Sequence, residues 1–278
     1  MDGAPMILSP KACKRFAFVH IPKTGGSTIL EMVRKHPLLT SLLIDHPKLD
    51  PNRHIIAEEQ RQHIAPAIWD EAFTFATVRD PFDFAISQFF FHLEAHCPHQ
   101  TKSKKWAHQP ACRIFNAMQL KGVSNVTDLS YKYAFNEWLM IMDRGEFRDV
   151  GRLAYSLLAQ NRTGITQLSW VTDTSGKMVV QKVVKLGSHE YQRLASCDGL
   201  VHELCSKAGT PPPLGSSGIA LDFVKRDEFR CKNGSSHANP SRHGSRHYYF
   251  TPWSCSIVAR HFAADFAAFD YDVAACPM

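Results

Sequence analysis

FAFVHIPKTGGST, running from Phe16 to Thr28, is the stretch that decides how this chain folds. The apolar run FAFVHI has the length and the aromatic and β-branched content of a buried strand. Pro22 ends it. Lys23, Thr24, Gly25, Gly26, Ser27 and Thr28 then make a tight turn. Apolar residues return at Ile29, Leu30, Met32 and Val33 with helical spacing. A strand that feeds a glycine-rich turn and then a helix leaves backbone N–H groups at a helix N-terminus. Those groups, the helix dipole and a lysine together make an anion site. The glycines let a ligand come close to the backbone. A turn that only connects strand to helix is the alternative reading of the same string.

A second segment has the same construction. Phe73 to Phe91 reads FTFATVRDPFDFAISQFFF. FTFATV predicts another buried strand. Arg79 stands at its end, Asp80 and Pro81 break it, and Pro81 suits the first turn of a helix. Phe82, Ile86, Phe89, Phe90 and Leu93 recur at helical spacing. Ser87 follows Arg79 by eight residues, so both are expected to face one crevice. A guanidinium meets phosphate oxygens as a planar fork. The alternatives are an ion pair between Arg79 and Asp80 and an ordinary helix serine at position 87.

The P-loop of nucleoside triphosphatases places its lysine after the last glycine, as GxxxxGK[ST]. Here Lys23 precedes both glycines, and no GK[ST] occurs in the chain. PKTGGST instead resembles the 5′-phosphosulfate loop of sulfotransferases that use 3′-phosphoadenosine-5′-phosphosulfate (PAPS). VRDP with its following serine resembles the 3′-phosphate motif of the same family. Weaker likenesses run through HIIAEEQRQHIAPAIW (His54 to Trp69), NRTGITQL (Asn161 to Leu168), NPS (Asn239 to Ser241) and ADFAAFDY (Ala264 to Tyr271). They are similar to the branch related to uronyl 2-O-sulfotransferases. Two departures stand out. Phe84 occupies a position where many members carry arginine, and the family's QTR string is broken.

The resemblance implies an α/β fold: a central parallel sheet with helices on both faces, a P-loop-like strand–loop–helix, and a nucleotide cleft at the strand C-termini. It implies a single enzyme domain over residues 1–278, with residues 1–14 as a flexible segment. Lys23, Thr24, Gly25, Gly26, Ser27 and Thr28 would hold the 5′-phosphosulfate, and Arg79 and Ser87 the 3′-phosphate. Sulfuryl transfer needs charge stabilisation on the leaving phosphate and a base for the acceptor hydroxyl. Lys23 is assigned the first task. His54 is assigned the second, because imidazole can take a proton near neutrality. Glu58 and Glu59 are reserve bases, and His20, inside the strand, is structural. Rival readings are a PAPS- or 3′,5′-ADP-binding pseudoenzyme or partner-binding protein and, more remotely, a nucleotide kinase, which would need the Walker lysine that is absent here.

Composition fits a chain with a sizeable core: 44% of its 278 residues are hydrophobic. The formal charge of +6 suits anionic ligands. Without a basic stripe or a nucleic-acid motif it does not argue for nucleic acid. No apolar run reaches the ~18 residues of a membrane helix. The partners expected are a saccharide or small-metabolite acceptor, and the oligomeric state stays open. A cytoplasmic location is expected, with the Golgi lumen as the alternative; Asn125, Asn161 and Asn233 head Asn-x-Ser/Thr triplets. Eight cysteines do not make a disulfide scaffold at this length, although Cys97 and Cys112 bracket a basic loop and are candidates for a bridge. His92, His96, Cys97, His99, His108 and Cys112 fit no common zinc spacing, so no metal is expected. Lys102, Lys104 and Lys105 are either acceptor contacts or a solvated charge run. Elsewhere the pattern predicts a helix over 131–142, a hairpin over 168–186, a helix over 189–207, a loop over 209–218 and a last helix over 255–269.

Overall fold

In a computed structural model of the chain, residues 13–44, 55–96, 129–144, 166–206 and 245–278 are described. His54, the Cys97–Cys112 segment, the three lysines within it, the Asn-x-Ser/Thr triplets and the 209–218 loop fall outside them.

The elements follow in order as β1 (Phe16–Val19), α1 (Gly26–Lys35), α2 (Pro37–Leu42), α3 (Ala57–His63), α4 (Pro66–Glu71), β2 (Phe73–Val78), α5 (Pro81–His96) and α6 (Leu129–Asp143). Then come α7 (Leu168–Val171), β3 (Lys182–Lys185), α8 (His189–Leu194), α9 (Cys197–Ser206), a 3₁₀ turn (Arg246–Tyr248), α10 (Pro252–His261) and α11 (Ala263–Ala268). The sheet has the order β1-β2-β3. β1 and β2 run parallel, with Phe16 opposite Phe73 and Val19 opposite Ala76. Parallel pairing requires a crossover, and α1 to α4 provide it. The chain therefore has α/β character, as expected.

Two compact units emerge, one from Met1–Thr77 with Val171–Asn239, the other from Val78–Trp170 with Pro240–Met278. In the first, strand alternation sends neighbouring residues to opposite faces. Phe16, Phe18, Phe73 and Phe75 share one core with Ile29, Leu30 and Val33 of α1 and with Tyr191, Leu194, Leu200 and Leu204 of α8 and α9. Ala17 turns the other way, to Ile64 just after α3 and to Trp69 of α4. Helices thus cover both faces. Cys13 and Cys205 form a disulfide that closes this unit ahead of β1.

The second unit is helical and rich in aromatics. On α5, Phe82, Phe84, Ile86, Phe89 and Phe90 are all buried. Phe89 meets Phe135 of α6 at 5.5 Å. Phe82 meets Phe266 of α11 at 5.1 Å, and Phe84 meets Phe262 edge-on at 5.8 Å. Phe84, where many members of the resembled family have arginine, is therefore a core residue. A second bridge joins Cys255 and Cys276.

Three expected elements differ. The 168–186 segment keeps its turn, with one antiparallel bridge between Thr172 and Met178. Its first arm, however, is helix α7 rather than a strand, because a carboxylate distant in sequence takes the N–H groups of Gln167 and Leu168. The 189–207 helix is two helices. Ser196 separates them, donating to Arg193 O at 2.6 Å and accepting from Gly199 N at 3.2 Å, which starts a new helix. The last helix begins at Pro252 behind a Thr251–Ser254 capping box and breaks at Phe262. Among the described residues no helix is long and apolar enough to cross a membrane.

Candidate functional site

The Lys23 turn belongs to the first unit. β1 ends at Val19, and Ile21 and Pro22 are buried. Lys23 has φ +67° and Gly25 φ +88°. Lysine in the left-handed region costs roughly 1–2 kcal/mol. Such strain gathers at ligand clamps and switch regions. Gly25 is the N-cap of α1 and, lacking a side chain, makes no side-chain cap hydrogen bond. Gly26 is needed for space, because a Cβ there would strike the His20 ring. His20 itself stacks on Phe18, with ring centroids 6.0 Å apart, and so acts as packing.

Two residues that sequence reasoning missed hold this turn. Thr24, fully buried, donates to Ile21 O at 2.8 Å and lies 3.0 Å from the hydroxyl of the first of them, Thr77 on β2. The Thr24 side chain braces the turn. The second, Tyr191 of α8, donates its hydroxyl to Gly25 O at 3.1 Å. Burial raises its phenol pKa, and a hydrogen bond with Thr28 opposes the rise. Ser27 and Thr28 are half-buried in the first turn of α1.

The Arg79 turn belongs to the second unit. Asp80 explains the RDP string locally. Its carboxylate accepts from Phe82 N at 2.9 Å and Asp83 N at 3.3 Å, and so caps α5, with Pro81 in the first helical position. Burial pushes the Asp80 carboxyl upward, and Asp83 adds to the shift. The Asp83 and Phe82 amides and Arg246 oppose it. Arg246 pairs with Asp80 at 3.6 Å and Asp83 at 3.8 Å. Burial pulls the Arg79 guanidinium below its ordinary pKa, against Asp83, Asp80 and Tyr271, which raise it. Ser87 is wholly buried, and its hydroxyl finds no hydrogen-bond partner among the described residues.

The structure thus gathers Lys23 to Thr28 into one turn, and sets Arg79 and Ser87 on the β2 end and α5. Glu58 and Glu59 open α3, where Thr174 lies 3.4 Å from the Glu58 carboxylate. No group of His, Cys, Asp and Glu suited to a metal ion occurs among the described residues. No protein-family model, curated protein or solved structure matches the chain.

Proposed function

We propose that this chain is a sulfotransferase that moves the sulfuryl group of PAPS to an acceptor hydroxyl. The observation that carries the reading is the Lys23 turn, where left-handed backbone at Lys23 and Gly25 precedes a helix N-terminus whose N-cap is a glycine. The Ser87 hydroxyl supports it. A buried hydroxyl without a partner costs roughly 1–3 kcal/mol, and a phosphate oxygen is a fitting acceptor for it.

Lys23 and the backbone of Thr24 to Thr28 would hold the 5′-phosphosulfate, and Arg79 and Ser87 the 3′-phosphate. Bound PAPS supplies a sulfuryl group on a phosphate leaving group. Lys23 and the α1 N-terminus neutralise charge that builds on the leaving oxygen. His54 takes the acceptor proton, with Glu58 and Glu59 in reserve. The acceptor is a saccharide or a small metabolite.

The test has two stages. 3′,5′-ADP without magnesium should raise the melting temperature, and 5′-AMP should raise it less. A rise only with ATP and magnesium supports a kinase and sinks this proposal. Labelled sulfate transfer from PAPS to an acceptor panel follows. Binding without transfer supports the pseudoenzyme reading. His54→Ala should abolish transfer and leave 3′,5′-ADP binding intact.

The cysteines bear on the proposed compartment. Cys13, Cys197, Cys205, Cys255 and Cys276 are disulfide-bonded. Cytosolic thiols are kept reduced. The bridges therefore favour the lumenal alternative over the cytoplasm, and loss of melting temperature in reductant is the check.

A further inference from the structure

The weaker sequence likenesses, NRTGITQL and ADFAAFDY, each contribute one residue to a device on the Arg79 backbone. The Arg79 N–H donates to Gln167 Oε1 at 2.7 Å, and Gln167 Nε2 donates to the Arg79 carbonyl at 2.8 Å. One amide side chain thus engages both backbone groups of one residue, as a neighbouring strand would in a ladder. β2 has already ended at Val78. Gln167 is held in turn. Its own N–H donates to Asp265 Oδ2 at 2.8 Å, and Leu168 N donates to Oδ1 at 2.8 Å. Gln167 and Asp265 are both fully buried. All three residues belong to the second unit.

A guanidinium stands at the end of a long stem, so a small rotation of the Arg79 backbone displaces it by ångströms. Bidentate contact with phosphate tolerates little such displacement. We propose that Gln167, held by Asp265, is a positioning residue that aims Arg79 and so sets the preference for nucleotides carrying a 3′-phosphate. The proposal rests on the donor-site reading above. Gln167 acts through Arg79 and touches no ligand.

The experiment is a double-mutant cycle on the intact chain. Affinities for 3′,5′-ADP and 5′-AMP are measured by calorimetry for the wild type, Gln167→Met, Arg79→Ala and the double variant. Methionine keeps the length and removes both hydrogen bonds. Gln167→Met should lower the preference for 3′,5′-ADP by about tenfold or more, as expected for a weakened charged contact. In the Arg79→Ala background it should lower the preference no further. An unchanged preference, or an equal loss in both backgrounds, overturns the positioning role and leaves the donor reading standing. A wild type without the preference overturns both. If Gln167→Met does not fold, Asp265→Asn takes its place in the cycle: a loss of preference confined to the Arg79 background supports the positioning role, and no loss or an equal loss overturns it.

Discussion

At the Lys23 turn the backbone sets the geometry and the Thr24, Thr77 and Tyr191 side chains brace it: two residues lie at positive φ, the N-cap is a glycine, and a Cβ at either glycine would collide. At the Arg79 turn side chains carry it. Asp80 caps the helix, Gln167 engages both backbone groups of Arg79, and Asp265 holds Gln167. The two turns follow the two paired parallel strands. A backbone-built turn is damaged by adding atoms to it. A side-chain-built turn is damaged by removing hydrogen bonds or by titrating the groups that make them.

The largest expected effect tests the first turn. Lys23→Ala should cut turnover ~100-fold or more, as for one lost transition-state donor, while PAPS affinity falls less. If binding disappears and turnover at saturation stays normal, Lys23 is only a ground-state contact.

Titration addresses the second turn. Burial raises the Asp265 carboxyl from the usual 3.8 to about 6, against the hydrogen bonds from Leu168 and Gln167. Because the folded state holds the proton more tightly, its stability falls as pH rises from about 4 to about 6, and stays lower above that. Relative to Asp265→Asn, the wild type should lose on the order of 3 kcal/mol of unfolding free energy across that window. Parallel pH curves for the two proteins would show that folding leaves the Asp265 pKa unshifted.

The smallest effect isolates crowding from backbone strain. Gly25 and Gly176 have similar φ, +88° and +83°. A Cβ at Gly25 would lie 2.6 Å from Leu186 Cδ1 and from the Tyr191 hydroxyl, and one at Gly176 meets nothing within 4 Å. Gly25→Ala should destabilise more than Gly176→Ala, by ~1–3 kcal/mol, the usual range for overpacking. Equal losses in denaturant titrations would mean that Leu186 and Tyr191 yield freely.

Much of the first turn is legible in the sequence, because its signals are local. Pro22, the paired glycines and the apolar runs on either side read correctly as β1, turn and α1, and FTFATVRDP reads as β2 and the start of α5. What escapes depends on distant partners. Leu168–Val171 has the pattern of a strand arm, and it is a helix because Asp265 lies 97 positions away in the chain. Tyr191 and Thr77 carry no motif. Asp265 does leave a signal, a lone acid among the apolar residues of ADFAAF. The pairing of Cys13 with Cys205 leaves none, since cysteine spacing does not determine connectivity.

That pairing has a consequence in time. The two cysteines lie 192 residues apart. At ~5–20 residues per second, synthesis separates them by about 10–40 s. β1 and the Lys23 turn therefore leave the ribosome before their covalent tie can close, and Cys13 has no access to Cys205 throughout that interval. β1, the first of the described strands, is thus sealed covalently only once residue 205 has been made.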